Sequence, residues 1–170
     1  MKKLIFISFI LLSSCAKFVT WDEFSLQRMQ YDGTQLRIDG YYYQIEGGMY
    51  DSGYCFYRDG CLLDMGGNSS SLEEMDAYVI REFINRSHDS KKQSWGIYVI
   101  RDNTIQFERY YITDDTKKRS YVREGTILND STFHITTSFR SGGSEQSKKN
   151  EIYHFRQFSP KPDSTNNFIK

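Results

Sequence analysis

From residue 94 onward, apolar and polar positions alternate with a period of two. Ile105, Phe107, Arg109 and Tyr111 stand against Gln106, Glu108, Tyr110 and Ile112, and Phe133, Ile135, Thr137 and Phe139 stand against Thr132, His134, Thr136 and Ser138. Successive residues of a strand point to opposite faces, so this alternation marks half-buried strands with the first set of each pair facing inward. Runs that alternate or are rich in β-forming residues cover 34–45, 53–58, 61–65, 94–101, 104–112, 118–128, 132–140 and 151–158, which predicts eight strands. The period changes once. In "SSSLEEMDAYVIREFINR", Leu72, Met75, Val79 and Phe83 recur at helical spacing, and Ser71 with Glu74 three residues later forms a capping box. This predicts one helix between the third and fourth strands, its apolar stripe packed on the sheet.

The octets "FYRDGCLL" (56–63), "VIRDNTIQ" (99–106) and "YVREGTIL" (121–128) repeat one pattern. An acid followed by Gly or Asn tolerates the positive φ of a tight hairpin turn, so the first two copies predict hairpins. Asn129-Asp130 follows the third copy and is itself a good turn. Glu124-Gly125 is therefore expected as a bulge inside a long strand, with Gly125 left-handed. Arg58 and Arg101, before the turn acids, are expected to be solvated.

Eight strands joined mainly by hairpins suggest an all-β, antiparallel up-and-down barrel, which removes exposed sheet edges. Alternate connections then share a rim. The tight turns lie at one end, and the segments 46–52, 72–85, 113–117 and 141–150 lie at the other, where a mouth is expected. The 13 Tyr and 12 Phe, with only 2 Pro, agree with a strand-rich domain. The 22 basic and 22 acidic residues balance, and no basic stripe interleaves with the aromatics, so a nucleic-acid partner is not expected.

The start, "MKKLIFISFILLSSCAK", has two lysines and an apolar run from Leu4 to Leu12, too short to span a membrane stably. Its end, "LSSC", resembles the lipobox of bacterial lipoproteins. The resemblance implies cleavage before Cys15, diacylglycerol on its sulfur and acylation of the new amino terminus, giving a durable anchor. Ala16, where an Asp would imply inner-membrane retention, implies the outer membrane, and the absence of acids just after Cys15 favours its periplasmic face. Residues 1–14 are read as the leader, 15–33 as a lipid-anchored tether with a turn at Asp32-Gly33, 34–160 as the barrel and 161–170 as a tail. A tether that enters the first strand at the tight-turn rim would point the mouth away from the membrane.

With "FYRDGCLL", "WGIYVIRDNTIQFERYY", "REGTILNDSTFHI" and "YHFRQFSPKPDS", the chain resembles the calycin superfamily of lipocalin-like barrels, and more particularly small lipocalin-like bacterial lipoproteins of unassigned function. The resemblance covers roughly residues 34 to 165 and implies a barrel fold. The Gly-x-Trp signature of many lipocalins is missing, so retinoid or bilin binding is not implied.

An inward Arg109 among aromatics needs either an anionic ligand, as in carriers that bind a carboxylate, or an internal acid. Tyr41, Tyr42, Tyr43, Trp95 and Tyr111 could stack on a ligand or simply fill the barrel. The candidate ligand-binding set is Arg109, Tyr111, Phe107, Trp95, Tyr43 and Phe139. His88, His134 and His154 have no zinc spacing, no Gly-x-Ser-x-Gly is present, and no carboxylate pair stands out, so neither metal, cofactor nor enzymatic activity is expected. "DST" at Asp130 and Asp163 resembles an envelope O-glycosylation motif. Two functions fit: binding of a small apolar or amphipathic ligand inside the barrel, or a solid barrel acting as an interaction module or inhibitor for another envelope protein. Cys55 and Cys61 are expected to be unpaired. A two-residue loop at Asp59-Gly60 would put them on opposite faces, and a three-residue loop would leave them diagonal, near the limit of roughly 7 Å for a bridge.

If Cys15 carries the lipid, Cys15→Ser releases the protein from membranes into the soluble periplasmic fraction. Tight membrane association of the processed mutant would refute the anchor.

Overall fold

A computed structural model describes residues 19–85, 91–112 and 117–170. The leader, Cys15, His88 and the loop 113–116 lie outside the described residues. Among the described residues nine strands form: β1 (Thr20–Trp21), β2 (Gly40–Glu46), β3 (Met49–Phe56), β4 (Cys61–Ser69), β5 (Trp95–Arg101), β6 (Thr104–Ile112), β7 (Lys117–Asn129), β8 (Thr132–Arg140) and β9 (Ser147–Gln157). Strands β2 to β9 pair antiparallel with their sequence neighbours, and β2 also pairs with β9, so eight strands close an up-and-down barrel. One helix, α1 (Leu72–Val79), lies between the third and fourth barrel strands and continues as a wider π-helical turn over Ile80–Ile84. Among the described residues no helix is long and apolar enough to cross a membrane.

The turn chemistry explains the repeated octets. In the first, Tyr57 N donates to Cys61 O and Gly60 N to Tyr57 O, closing a three-residue loop with Gly60 at φ 82. In the second, Arg101 pairs with Thr104 around a two-residue loop, with Asp102 at φ 52. The third copy lies within the thirteen-residue β7. A register shift occurs there, but the extra residue is Thr136 of β8, because Glu124 pairs with Thr137 and Gly125 with Ile135. Nor is Gly125 left-handed: it is needed for close approach, since a Cβ would meet His134 O at 2.0 Å. The expected A-to-B loop at 46–52 is also tighter than its sequence suggests. Gly47 and Gly48, at φ 58 and 83, make a two-residue turn between Glu46 and Met49.

Alternation sorts the side chains into two cores. Inside the barrel lie Tyr42, Tyr54, Phe56, Leu62, Tyr98, Ile105, Phe107, Phe133, Ile135 and Tyr153. Outside, Tyr41, Cys55, Tyr57, Cys61, Leu63, Met65 and Trp95 pack with Met75 and Val79 of α1 and with Phe158. The helix thus buries its stripe on the outer wall. Ser71 caps it by accepting from Glu74 N at 3.2 Å, while the Glu74 carboxylate turns to Ser70 rather than completing a reciprocal box.

The segments that flank the barrel are bound to it. Thr20 and Trp21 run parallel to Lys117 and Lys118 at the start of β7. The chain then descends the outer wall, with Tyr31 N donating to Arg58 O at the tight-turn rim. Tyr31 and Leu36 join the lumen core and close its base, and Arg37 N donates to Asp130 O before β2 begins. Residues 20–36 are therefore a strap, and β2 starts at Gly40 rather than residue 34. The chain enters β2 at the tight-turn rim, as expected, but the strap before it first meets the barrel at the wide-loop rim, beside Lys117. The tail is docked as well: Lys161 Nζ donates to Ile38 O and Phe56 O, and Tyr57 donates to Pro162 O at 3.0 Å.

Both Cys55 and Cys61 are free and buried. The three-residue loop puts them on one face, where they join the outer core without meeting. Burial pushes the Cys55 thiol up to about 12 and also raises that of Cys61, and only a thiolate reacts readily. In the folded Cys15→Ser chain neither thiol should react with a maleimide at neutral pH, and both should react after unfolding without reductant. No reactive thiol in the unfolded chain would indicate a disulfide and a different turn.

Candidate functional site

The lumen is built in layers. Phe56, Phe107 and Phe133 occupy the middle, where no hydrogen-bond partner is in reach, and tyrosines occupy the ends, where their hydroxyls meet polar groups. Towards the tight turns, Tyr42 donates to Arg37 O and Asp130 O, and Tyr98 donates to Tyr57 O at 2.8 Å. Towards the wide rim, Tyr54 accepts from Arg109 Nε at 3.2 Å and Tyr153 donates to Glu151. All seven of these rings are at most 2% exposed. They touch stacked, edge to face or tilted: Phe133 and Tyr153 lie 4.8 Å apart at 14°, Phe56 and Tyr98 4.9 Å, Tyr42 and Phe133 5.1 Å, and Tyr54 and Phe107 5.2 Å. Each such pair contributes about 0.5–1.5 kcal/mol beyond burial.

Above them sits a charged layer. Arg109 Nη1 lies 2.6 Å from Asp64 Oδ2, and the guanidinium stacks over the Tyr111 ring at 3.9 Å. Arg123 pairs with Glu151 at 2.5 Å and donates from Nε to the Tyr111 hydroxyl at 3.1 Å. Burial opposes the charge on both arginines, but the surrounding tyrosines and carboxylates outweigh it and raise both pKa values. Each arginine thus meets a carboxylate, and Lys149 Nζ also approaches Glu151, at 3.8 Å. Asp64 supplies the anion that Arg109 requires, and no ligand is needed to balance it.

Of the residues singled out in the sequence, Arg109, Tyr111 and Phe107 do come together in the barrel. Trp95 and Tyr43 do not: both belong to the outer core. Phe139 also faces outward. It pairs with Val122, which pairs with Glu108, and Glu108 lies on the outer wall under the strap. The inserted Thr136 reverses the alternation of β8 between Ile135 and Phe139, which period-two reading cannot detect. Asp64, Arg123, Glu151 and Tyr54 complete the cluster without having been singled out. Asp64 and Arg123 stand on strands that were recognised, but the pairing that unites them comes from closure.

Beside this layer, α1 and its π-helical turn leave a recess of about 490 Å³, lined by Asp64, Met65, Tyr78, Phe83, Arg109 and Tyr111. A groove of about 780 Å³ separates strap and tail, between Trp21, Phe24, Lys92, Tyr110 and Ile169. Helix, tail and strap cover much of the outer wall over β3 to β7, while β9 and β2 carry an exposed apolar face. Tyr43 pairs with His154, and alternation along the two strands puts Ile45 and Ile152 on that same outward face, 54% and 43% exposed. Tyr50, opposite Ile45, contacts the Tyr43 ring at 5.4 Å and extends that face. Among the described residues no group of His, Cys, Asp or Glu gathers as metal ligands would. No protein-family model, curated protein or solved structure matches the chain.

Removing one member of a buried pair leaves the other charge uncompensated. Asp64→Asn should therefore destabilise the domain by about 3 kcal/mol in urea unfolding, with the double variant Asp64→Leu, Arg109→Met recovering most of that loss. An unaltered Asp64→Asn midpoint would mean that Arg109 is not held by Asp64.

Proposed function

We propose that this protein is an envelope lipoprotein, anchored through Cys15 at the periplasmic face of the outer membrane, whose solid barrel serves as an interaction module. The observation that carries this reading is the lumen itself. A ligand in the apolar centre would have to displace rings that are already at contact distance and almost wholly buried. Cores packed at this density do not yield such space cheaply. A module of this kind works from its surface. The β9–β2 face has what that requires, with Ile45, Ile152 and Tyr50 forming an apolar centre bordered by His154 and His134. Apolar residues clustered on an exposed sheet face, unlike scattered ones, mark contact sites.

The second reading is binding of a small amphipathic ligand at the mouth rather than in the lumen. The recess beside Arg109 favours it, because Met65, Tyr78 and Phe83 offer apolar contact next to a charged pair and the volume is in the usual range for small ligands.

Two measurements distinguish the readings. Native mass spectrometry of the purified domain should give the protein mass alone, and a photo-crosslinking residue at Ile152 should form a discrete protein adduct in cells while one at Asp102 does not. A co-purifying small molecule, lost in Arg109→Met, would overturn the interaction reading in favour of the mouth site.

A further inference from the structure

The strap decides which end of the barrel a lipid anchor holds. Asp22 accepts from Arg140 Nε at 3.1 Å and from Ser120 N, and Asp22 N donates to Lys118 O. Glu108, 0% exposed, accepts from Ser25 N and Leu26 N, at 2.9 Å and 2.8 Å, and from the Ser25 and Ser141 hydroxyls. Trp21 and Phe24 close on Tyr110, with ring centroids 4.8 Å and 4.6 Å away. These contacts fix the chain from Thr20 to Leu26 to the outer wall, with Val19 emerging at the wide-loop rim. Cys15 precedes Val19 by four residues and so lies within about 14 Å of it. The nine residues of β6 span about 30 Å of strand, and about 23 Å along the axis of a barrel whose strands tilt by roughly 40°. An anchor with that reach holds the wide rim close to the bilayer and leaves the tight turns far from it.

From the course of the strap we infer that the wide-loop rim is the membrane-facing end of the barrel. The inference rests on the lipid anchor at Cys15. It reverses the orientation expected from an entry at the tight-turn rim, and it turns the recess beside Arg109 towards the membrane.

The test uses the full lipidated chain in vesicles of phosphatidylethanolamine and phosphatidylglycerol. A fluorophore is placed on Gln146→Cys at the wide rim or on Asn103→Cys at the tight turns, and quenching by lipids with nitroxide headgroups is read for each. Quenching should be several-fold stronger at residue 146, and the contrast should shrink when the strap is released by Asp22→Asn with Glu108→Gln. Equal quenching at the two positions, or stronger quenching at 103, would overturn the inference. Failure of the lipid anchor shows separately, as a purified chain without diacylglycerol mass. Orientation is then read with a hexahistidine directly before residue 15 of a leaderless Cys15→Ser chain, held on nickel-chelating lipid in the same anionic vesicles. The same contrast is expected there, and its absence would overturn the orientation by itself.

Discussion

An eight-stranded barrel has a nearly fixed width, and the space inside must be filled by side chains or by something they enclose. Here it is filled. Phenylalanines form the middle layer, tyrosines the ends, and two arginine–carboxylate pairs lie above them. The tyrosines are suited to their layers because each can bury its ring and still satisfy its hydroxyl at the barrel end. The arginines are tolerated because each has a carboxylate within hydrogen-bond distance. Without Asp64 and Glu151 the same layer would hold two uncompensated charges.

A filled interior moves function to the surface, and the surface is divided. Helix, tail and strap cover much of the outer wall over β3 to β7, burying a second core as apolar as the first. This explains how one sheet supports apolar residues on both faces: Tyr41, Cys55 and Leu63 alternate with Tyr42, Phe56 and Leu62, yet neither set meets water. Over β9 and β2 the outward set remains open, and there the exposed apolar residues are Ile45 and Ile152.

The strap depends on one buried carboxylate. Glu108 stands on the outer wall, and among the described residues no cation is bonded to it. It is stabilised by two backbone N–H donors and two hydroxyls, an arrangement that satisfies a buried anion by hydrogen bonding alone. Asp22, by contrast, is held by Arg140, whose hydrogen bond keeps its carboxyl below the usual carboxylate range. Together they convert a chain that could have been a loose lead-in into part of the barrel wall.

Local chemistry in the sequence determined the strand positions, the helix and the tight turns, because period, capping residues and turn residues act within a few positions of one another. "FYRDGCLL" and "VIRDNTIQ" each carry their own hairpin, and Leu72, Met75 and Val79 their own stripe. The inward direction of Phe107, Arg109 and Tyr111 was legible for the same reason. Closure decided the rest. Asp64 and Glu151 reach Arg109 and Arg123 only when β4, β6, β7 and β9 surround one lumen. The bulge at Thr136 that turns Phe139 outward arises from the pairing of β8 with β7, which no alternation within β8 reveals. Trp95 and Tyr43 read as candidate lumen residues because an aromatic on a strand suits either face, and a second core outside the barrel can be seen only once the helix has docked. The strap was least legible of all: residues 20–36 have little periodicity, since a segment bound through its backbone to Glu108, Lys118 and Arg58 needs no repeating pattern of its own.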